Sequence, residues 1–283
     1  MTSVEVHLIK AFTSNPHEGN PAGVVLDADE LDSEKMLRIS AELGFSESAF
    51  VSTSEKADFR IRFFTPVEEV SLCGHGTLAA VHALREAGRI AITGVISQET
   101  KAGLLQVEVQ DNGLMVMSQS EPVFFDNEIN RIHVSNLLGL KAQDLTDWPL
   151  KIVSTGTPKL LIPIKSLTAL LSIHPDLEGI KQFCRDTGAR GFFAFTGETQ
   201  SSDTDFHARQ FNPLAGIDED PITGIAAGAL GAYLKHFQPS SKKNFVVEQG
   251  YSLGKPGKIF VNTEKDIRVG GYAVAFGTTT IRI

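Results

Sequence analysis

The chain has 283 residues, 42% apolar and 21% charged, an ordinary globular composition with room for one large domain or two of about 140 residues. A formal net charge of −8 and a pI near 5.5 argue against nucleic-acid and acidic-membrane partners, which select basic surfaces. The N-terminal residues hold no signal-type apolar run, and no stretch approaches the ~18 uncharged apolar residues of a membrane span, so a cytoplasmic location is expected. The two cysteines, Cys73 and Cys184, are far apart in sequence and lack metal spacing, and the eight histidines form no HxxxH or HxH pair. Neither a disulfide nor a bound metal is expected.

In chain order, the first expected strand covers residues 23–26. A helix then starts at Asp32-Ser33, carries Met36, Ile39 and Leu43 on one face and stops at Gly44, with Asp and Gly where such residues cap helix ends. Strands follow at 48–52 and at 58–65, the latter rich in Phe and Ile. After a Pro-led loop, residues 77–84 are apolar on nearly every side, which predicts a buried helix. Residues 104–117 read as a hairpin turning at Asp111-Asn112-Gly113. Further strands are expected at 159–164 and 192–195, and the uncharged stretch 167–173 reads as a second outer helix. Residues 222–237 have the character of a second buried helix, whose Gly and Ala residues allow strands to approach closely. A last hairpin turns near Lys255-Pro256-Gly257.

One segment occurs twice. Asp58-Phe59-Arg60-Ile61-Arg62-Phe63-Phe64-Thr65-Pro66 matches Asp205-Phe206-His207-Ala208-Arg209-Gln210-Phe211-Asn212-Pro213 at Asp, Phe, Arg, Phe and Pro, an offset of 147 residues. Without a gap, that offset places Cys73-Gly74-His75-Gly76 on Asp220-Pro221-Ile222-Thr223 and ends in a shared Ala-Ala. The offset is close to half the chain, and an internal duplication follows. Each half then reads as a sheet curled around its own buried helix.

Both buried helices open with small residues and free backbone N–H groups, the arrangement that attracts anions. A pseudo-twofold would turn the two helix starts towards a common cleft holding a small carboxylate. No phosphate-loop or dinucleotide pattern occurs. Glu47 enters an apolar strand and is as readily an exposed edge carboxylate as an acid/base. His75, between Gly74 and Gly76, has little packing to do and favours function over capping. Asp220 is balanced between capping the second helix and chemistry, and Cys73 reads more readily as a small buried hydrophobe than as a nucleophile.

Taken together, Ala11-Phe12-Thr13, Gly19-Asn20-Pro21, Phe45-Ser46-Glu47-Ser48, Phe64-Thr65-Pro66, Cys73-Gly74-His75-Gly76-Thr77-Leu78, Phe211-Asn212-Pro213, Glu219-Asp220-Pro221-Ile222-Thr223-Gly224 and Glu248-Gln249-Gly250 resemble the PhzF phenazine-biosynthesis family, within the diaminopimelate epimerase-like fold. The resemblance implies an α+β fold of two pseudo-symmetric halves, each a barrel-like, mostly antiparallel sheet around a central helix, with the active site between them. The halves would span residues 1–120, completed by a strand at about 272–283, and residues 121–271. It also implies a cofactor-independent isomerase, often a homodimer, in which Glu47 shuttles a proton and His75 and Asp220 assist. Asn20, Gly74, Gly76, Thr223, Gly224 and Ile225 are the implied substrate contacts. Phenazine enzymes continue Thr-Gly-Ser where this chain has Thr223-Gly224-Ile225, which replaces a hydroxyl by a branched alkyl group and points away from the phenazine substrate.

Three functions remain open on the sequence. The first is an isomerase moving a proton on a small cyclic or unsaturated carboxylate, with Glu47 as acid/base. The second is an amino-acid epimerase or racemase using Cys73 and Asp220, and the third a non-catalytic relative that binds a partner. A carboxyl in an apolar cleft has its pKa raised towards neutrality, so it both takes and returns a proton, which favours the first.

Overall fold

Capping residues set the first helix as expected. The Asp32 side chain accepts the Lys35 N–H, and Gly44, at φ 66°, donates its N–H to the Ser40 carbonyl. The computed structural model describes residues 3–238 and 242–283. It divides into two compact units, Met1–Ser118 with Gly270–Ile283, and Gln119–Val269. In chain order the elements are β1 (Ser3–Ala11), β2 (Asn20–Val25), α1 (Ser33–Leu43), β3 (Ser48–Ser52), β4 (Phe59–Phe64), β5 (Glu69–Val70), α2 (Gly74–Glu86), β6 (Gly94–Thr100), β7 (Gly103–Val109) and β8 (Met115–Ser118). The second unit continues with β9 (Val123–Phe125), α3 (Arg131–Leu137), β10 (Lys151–Ser154), β11 (Lys159–Pro163), α4 (Leu167–Leu171), α5 (Leu177–Thr187), β12 (Phe192–Thr196) and β13 (Phe206–Asn212). After β14 (Ile217–Asp220), α6 (Gly224–Phe237), β15 (Asn244–Gln249), β16 (Gly257–Asn262) and β17 (Arg268–Gly271), the chain ends in β18 (Ala273–Arg282). The fold is α+β, with mixed sheets and few helices. No helix among the described residues is long and apolar enough to cross a membrane.

The two units pair their strands in the same order. In the first, β1–β2 is antiparallel, β2–β3 parallel, β3–β4 and β4–β5 antiparallel, β4–β6 parallel and β6–β7 antiparallel. In the second, β10–β11, β11–β12, β12–β13, β13–β14, β13–β15 and β15–β16 repeat that series step by step. β18 lies antiparallel along β1, with Val6 opposite Thr279. The residues shared by the repeat explain why it persists. Asp58 accepts the Ser97 N–H at 2.7 Å and Asp205 accepts the Val246 N–H at 2.9 Å, each tying down a parallel pair. Arg62 grips Glu69 through Nε and Nη2 at 2.9 and 3.0 Å, and Arg209 grips Glu219 in the same fork at 2.9 and 2.8 Å. Both guanidinium groups also lie 5.0 Å from the centroid of a phenylalanine ring, Phe64 and Phe211.

Each unit buries a central helix. α2 is buried along almost its whole length, from His75 to Leu84, and α6 from Gly224 to Leu234. At Gly231 a Cβ would meet a Val261 methyl at 2.9 Å, so the central helix of the second unit needs its small residues to approach β16. On the outer face of the first unit, Met36 and Ile39 of α1 pack with Val25, Phe50 and Phe64. The second outer helix is not at 167–173. That stretch forms only the five-residue α4, and the counterpart of α1 is α5, capped by Asp176 on the Gly179 N–H and closed by Gly188 at φ 79°. Its apolar stripe of Ile180, Phe183 and Cys184 is interrupted by Glu178, Lys181, Arg185 and Asp186, so an uncharged window drew attention to the wrong segment.

The paired arginines differ in exposure, and this sets different stabilities. The Arg209 and Glu219 side chains are 8% and 13% exposed, against 20% and 21% for Arg62 and Glu69. Arg209→Met is expected to cost about 3–5 kcal/mol, because it leaves Glu219 charged and uncompensated in the interior. Arg62→Met should cost about 1 kcal/mol or slightly more, since water screens that pair better. Urea denaturation of the two variants checks the order; equal losses would refute it.

Candidate functional site

The first turn of α2 organises one cluster. Cys73 is the N-cap, extended at φ −142° and ψ 116°, and its Sγ accepts the Gly76 N–H at 3.2 Å while the Thr77 hydroxyl donates to its carbonyl at 2.9 Å. A Cβ at Gly76 would meet Cys73 Sγ and the Phe63 ring at 3.1 Å, so a larger residue would have to push the thiol or the ring aside. His75, 7% exposed, is held beside the thiol, with Nδ1 3.4 Å and Nε2 3.8 Å from Sγ. Glu47 immediately precedes β3, and its Oε2 lies 3.4 Å from His75 Nε2. Ser46 Oγ is also 3.4 Å from that nitrogen. Burial pushes the Glu47 carboxyl above its usual range, against a smaller opposing effect of the Ser46 hydroxyl. β2 and β3 run parallel, so Asn20, 1% exposed at the start of β2, lies at the same end of the sheet as Glu47.

Ligand atoms of Glu47, Cys73 and His75 all fall within 4.8 Å of one another, close enough to hold a cation. Spacing rules did not reveal this group, because Glu47 arrives from a separate strand rather than from the Cys73-Gly74-His75 segment.

The second unit builds a different start to its helix. Thr223 is the N-cap of α6 and makes no side-chain capping bond; its hydroxyl instead donates to Asp220 Oδ2 at 2.7 Å. Gln249 Nε2 donates to the Asp220 carbonyl at 2.8 Å and its Oε1 accepts the Thr223 N–H at 3.2 Å, a clamp across the turn. Gly250, at φ 90°, passes so close to the Lys255 carbonyl that a Cβ would meet it at 2.2 Å. Glu248 is fully buried yet accepts from the Gln200 and Ser201 N–H groups, the Thr204 hydroxyl and His207 Nδ1. Burial works to raise its pKa, but these donors prevail and hold it down at about 2. Glu248-Gln249-Gly250 is therefore the brace behind Asp220. The Ile225 carbonyl accepts from the Thr155 hydroxyl at 3.2 Å, which fixes Gly224 and Ile225 in the first turn.

Lys159 went unassigned in the sequence, where it reads as the first residue of an apolar strand. Its side chain is 3% exposed and donates to the Arg190 carbonyl at 2.9 Å. Strand register places Leu161, Phe193, Gln210 and Asp220 in one row, and alternation puts Lys159 on the same face. Both amide atoms of Gln210, in that row, are buried without a hydrogen-bond partner. The only signal available beforehand is a lone cation inside Lys159-Leu160-Leu161-Ile162-Pro163.

Comparisons with known proteins place the chain in a family. The profile of the phenazine biosynthesis-like protein family, PhzC-PhzF, matches residues 9–279. The chain belongs to this family. It is 36% identical to the Bacillus subtilis protein named uncharacterized isomerase YfhB, over the full length of both. It is 32% identical to trans-2,3-dihydro-3-hydroxyanthranilate isomerase of Pseudomonas chlororaphis, covering 97% of this chain and 98% of that one. The crystal structure of a PhzF-family phenazine biosynthesis protein from Bacillus anthracis superposes with a TM-score of 0.93 at 35% identity, over all of both chains. The protein is thus a PhzF-like isomerase, with the fold of the PhzF and proline racemase structures.

Burial lowers the Lys159 ammonium to about 8, with Asp220 and Cys184 opposing the shift. The unfolded chain therefore holds this proton more tightly, and the stability penalty, present in full below pH 8, is relieved as pH rises towards 10.5. In urea melts at pH 7.5 and 10.5, wild type should gain about 3 kcal/mol relative to Lys159→Met across this window. A constant difference between the two proteins would refute the buried-cation assignment.

Proposed function

We propose that this PhzF-like enzyme is a cofactor-independent isomerase that moves a proton on a small cyclic or unsaturated carboxylate, with Glu47 as acid/base. The observation that carries the reading is the half-buried Glu47 carboxyl beside His75 Nε2, with its proton affinity raised by burial. A carboxyl poised this way takes a proton from carbon and returns it elsewhere without moving far. His75 is assigned to orient Glu47 and to share the developing charge. The N–H groups of the first turn of α2, around Gly74 and Gly76, are assigned to the substrate carboxylate, with Asn20 as a further contact. Asp220 is assigned to the same reaction on the sequence pattern, with Thr223, Gly224 and Ile225 as contacts. The name of the Pseudomonas chlororaphis relative supplies a first substrate to try.

Incubation in deuterated solvent with trans-2,3-dihydro-3-hydroxyanthranilate and with a panel of cyclic carboxylates and amino acids tests the reading. Glu47→Gln should lower carbon-bound deuterium incorporation by about 10²–10⁴, the worth of a positioned proton-transfer group. Cys73→Ser should be mild, because serine also caps a helix. An epimerase using the Cys73 thiol predicts the reverse. Because the folded state binds the Glu47 proton more tightly than the unfolded chain, an ionised Glu47 costs stability above its ordinary range. Glu47→Gln should therefore be at least as stable as wild type at pH 7, so that lost activity cannot be ascribed to unfolding; full activity in this variant would sink the proposal.

A further inference from the structure

We infer that Glu47, Cys73 and His75 form a reversible inhibitory site for Zn2+ or a cation of similar softness. The argument starts from the distances. Tetrahedral zinc with one sulfur, one imidazole nitrogen and one carboxylate oxygen places its ligand atoms roughly 3.3–3.6 Å apart. Here His75 Nε2 is 3.4 Å from Glu47 Oε2 and 3.8 Å from Cys73 Sγ, and the full set falls within 4.8 Å. The Glu47–His75 separation is longer than a good hydrogen bond and matches one edge of a coordination tetrahedron. Small side-chain rotations bring the third donor in.

The donor set selects the ion. A thiolate and an imidazole favour zinc, whereas Mg2+ and Ca2+ call for oxygen ligands. Local structure holds the donors in place before any ion arrives: Cys73 is fixed as a helix cap, His75 is the second residue of a buried helix, and Glu47 immediately precedes β3. Three protein ligands leave a fourth position for water or a substrate carboxylate, the pattern of an open zinc site. Coordination forms bonds to Sγ, Nε2 and a Glu47 oxygen, and the thiol proton leaves to solvent. It also removes the lone pairs that proton transfer needs, so the ion blocks the reaction; this inhibitory half rests on the function proposed above, whereas binding rests on the three side chains alone.

Calorimetry of the full chain, freed of metal with a chelator and titrated with zinc chloride, decides the binding. One site per chain is expected, micromolar or tighter. Cobalt should give a thiolate charge-transfer band that persists in Cys184→Ala and disappears in Cys73→Ser. Cys73→Ser should also weaken zinc binding by roughly 10²-fold or more, since even outer partners of metal ligands are worth about 10–100-fold. Absence of binding, or unchanged affinity in both Cys73→Ser and His75→Gln, overturns the site. Zinc should also abolish deuterium exchange, and chelator should restore it. Stoichiometric binding with exchange intact would overturn the inhibition while the site stands. A chain with no exchange on any carboxylate would instead fail the Glu47 proposal, and calorimetry would still decide the site.

Discussion

Two bidentate forks, the half-buried Arg62 on Glu69 and the more buried Arg209 on Glu219, fix the short strand that leads into each central helix. The helices follow from that constraint. β5 and β14 are only two and four residues long, too short to hold register by ladder hydrogen bonds alone. A bidentate guanidinium supplies the missing rigidity, and in the second unit Arg209 Nη1 also donates to the Leu170 and Ile173 carbonyls, tying the end of α4 to the same anchor. Because Glu219 adjoins Asp220, the fork also sets where that carboxylate begins its turn. A charged pair in this position gives geometric definition more than net stability, since desolvation offsets most of its attraction.

The cluster at the start of α2 shows the opposite economy. Cys73 completes the helix cap, and Gly76 keeps the turn close to the Phe63 ring. Glu47, by contrast, is placed where its charge is poorly solvated, and the fold tolerates the strain because β3, which follows it, is buried from Ser48 to Val51 and well paired. A carboxyl that destabilises its own ionised form is what a proton shuttle requires, so the local cost and the proposed use have one physical origin.

Much of this was legible in the sequence, and unevenly so. The duplication showed because the residues that repeat are structural anchors: Asp58 and Asp205 hold parallel strand pairs, and Arg62 and Arg209 make the forks. What the sequence did not show was the acid at the other end of each fork, because Glu69 lies seven residues from Arg62 and Glu219 ten from Arg209, so the shared offset is lost. α5 was missed since its charges mask a narrow apolar stripe. Glu47 and His75 were readable through a family resemblance, while their contact with each other and with Cys73 depends on tertiary placement. Lys159 gave no usable signal, because a cation at a strand start is ordinary on a surface and becomes informative only once it is seen to be buried.

The two halves of the repeat also diverge at one point with chemical consequence. Cys73 and Asp220 are equivalent by sequence offset, yet α2 begins at Gly74 directly after Cys73, whereas α6 begins at Gly224, three residues later than the offset predicts. Pro221 and Ile222 stand between Asp220, which ends β14, and the helix, and a proline favours extended backbone in the residue before it. Thr223 takes over as the cap residue and turns its hydroxyl towards Asp220 rather than into the helix. The first unit therefore uses its side chain at this position to satisfy the helix, with the thiol accepting the Gly76 N–H. In the second unit the cap position falls to Thr223, while Gln249 holds the Asp220 backbone carbonyl and the fork anchors the adjacent Glu219.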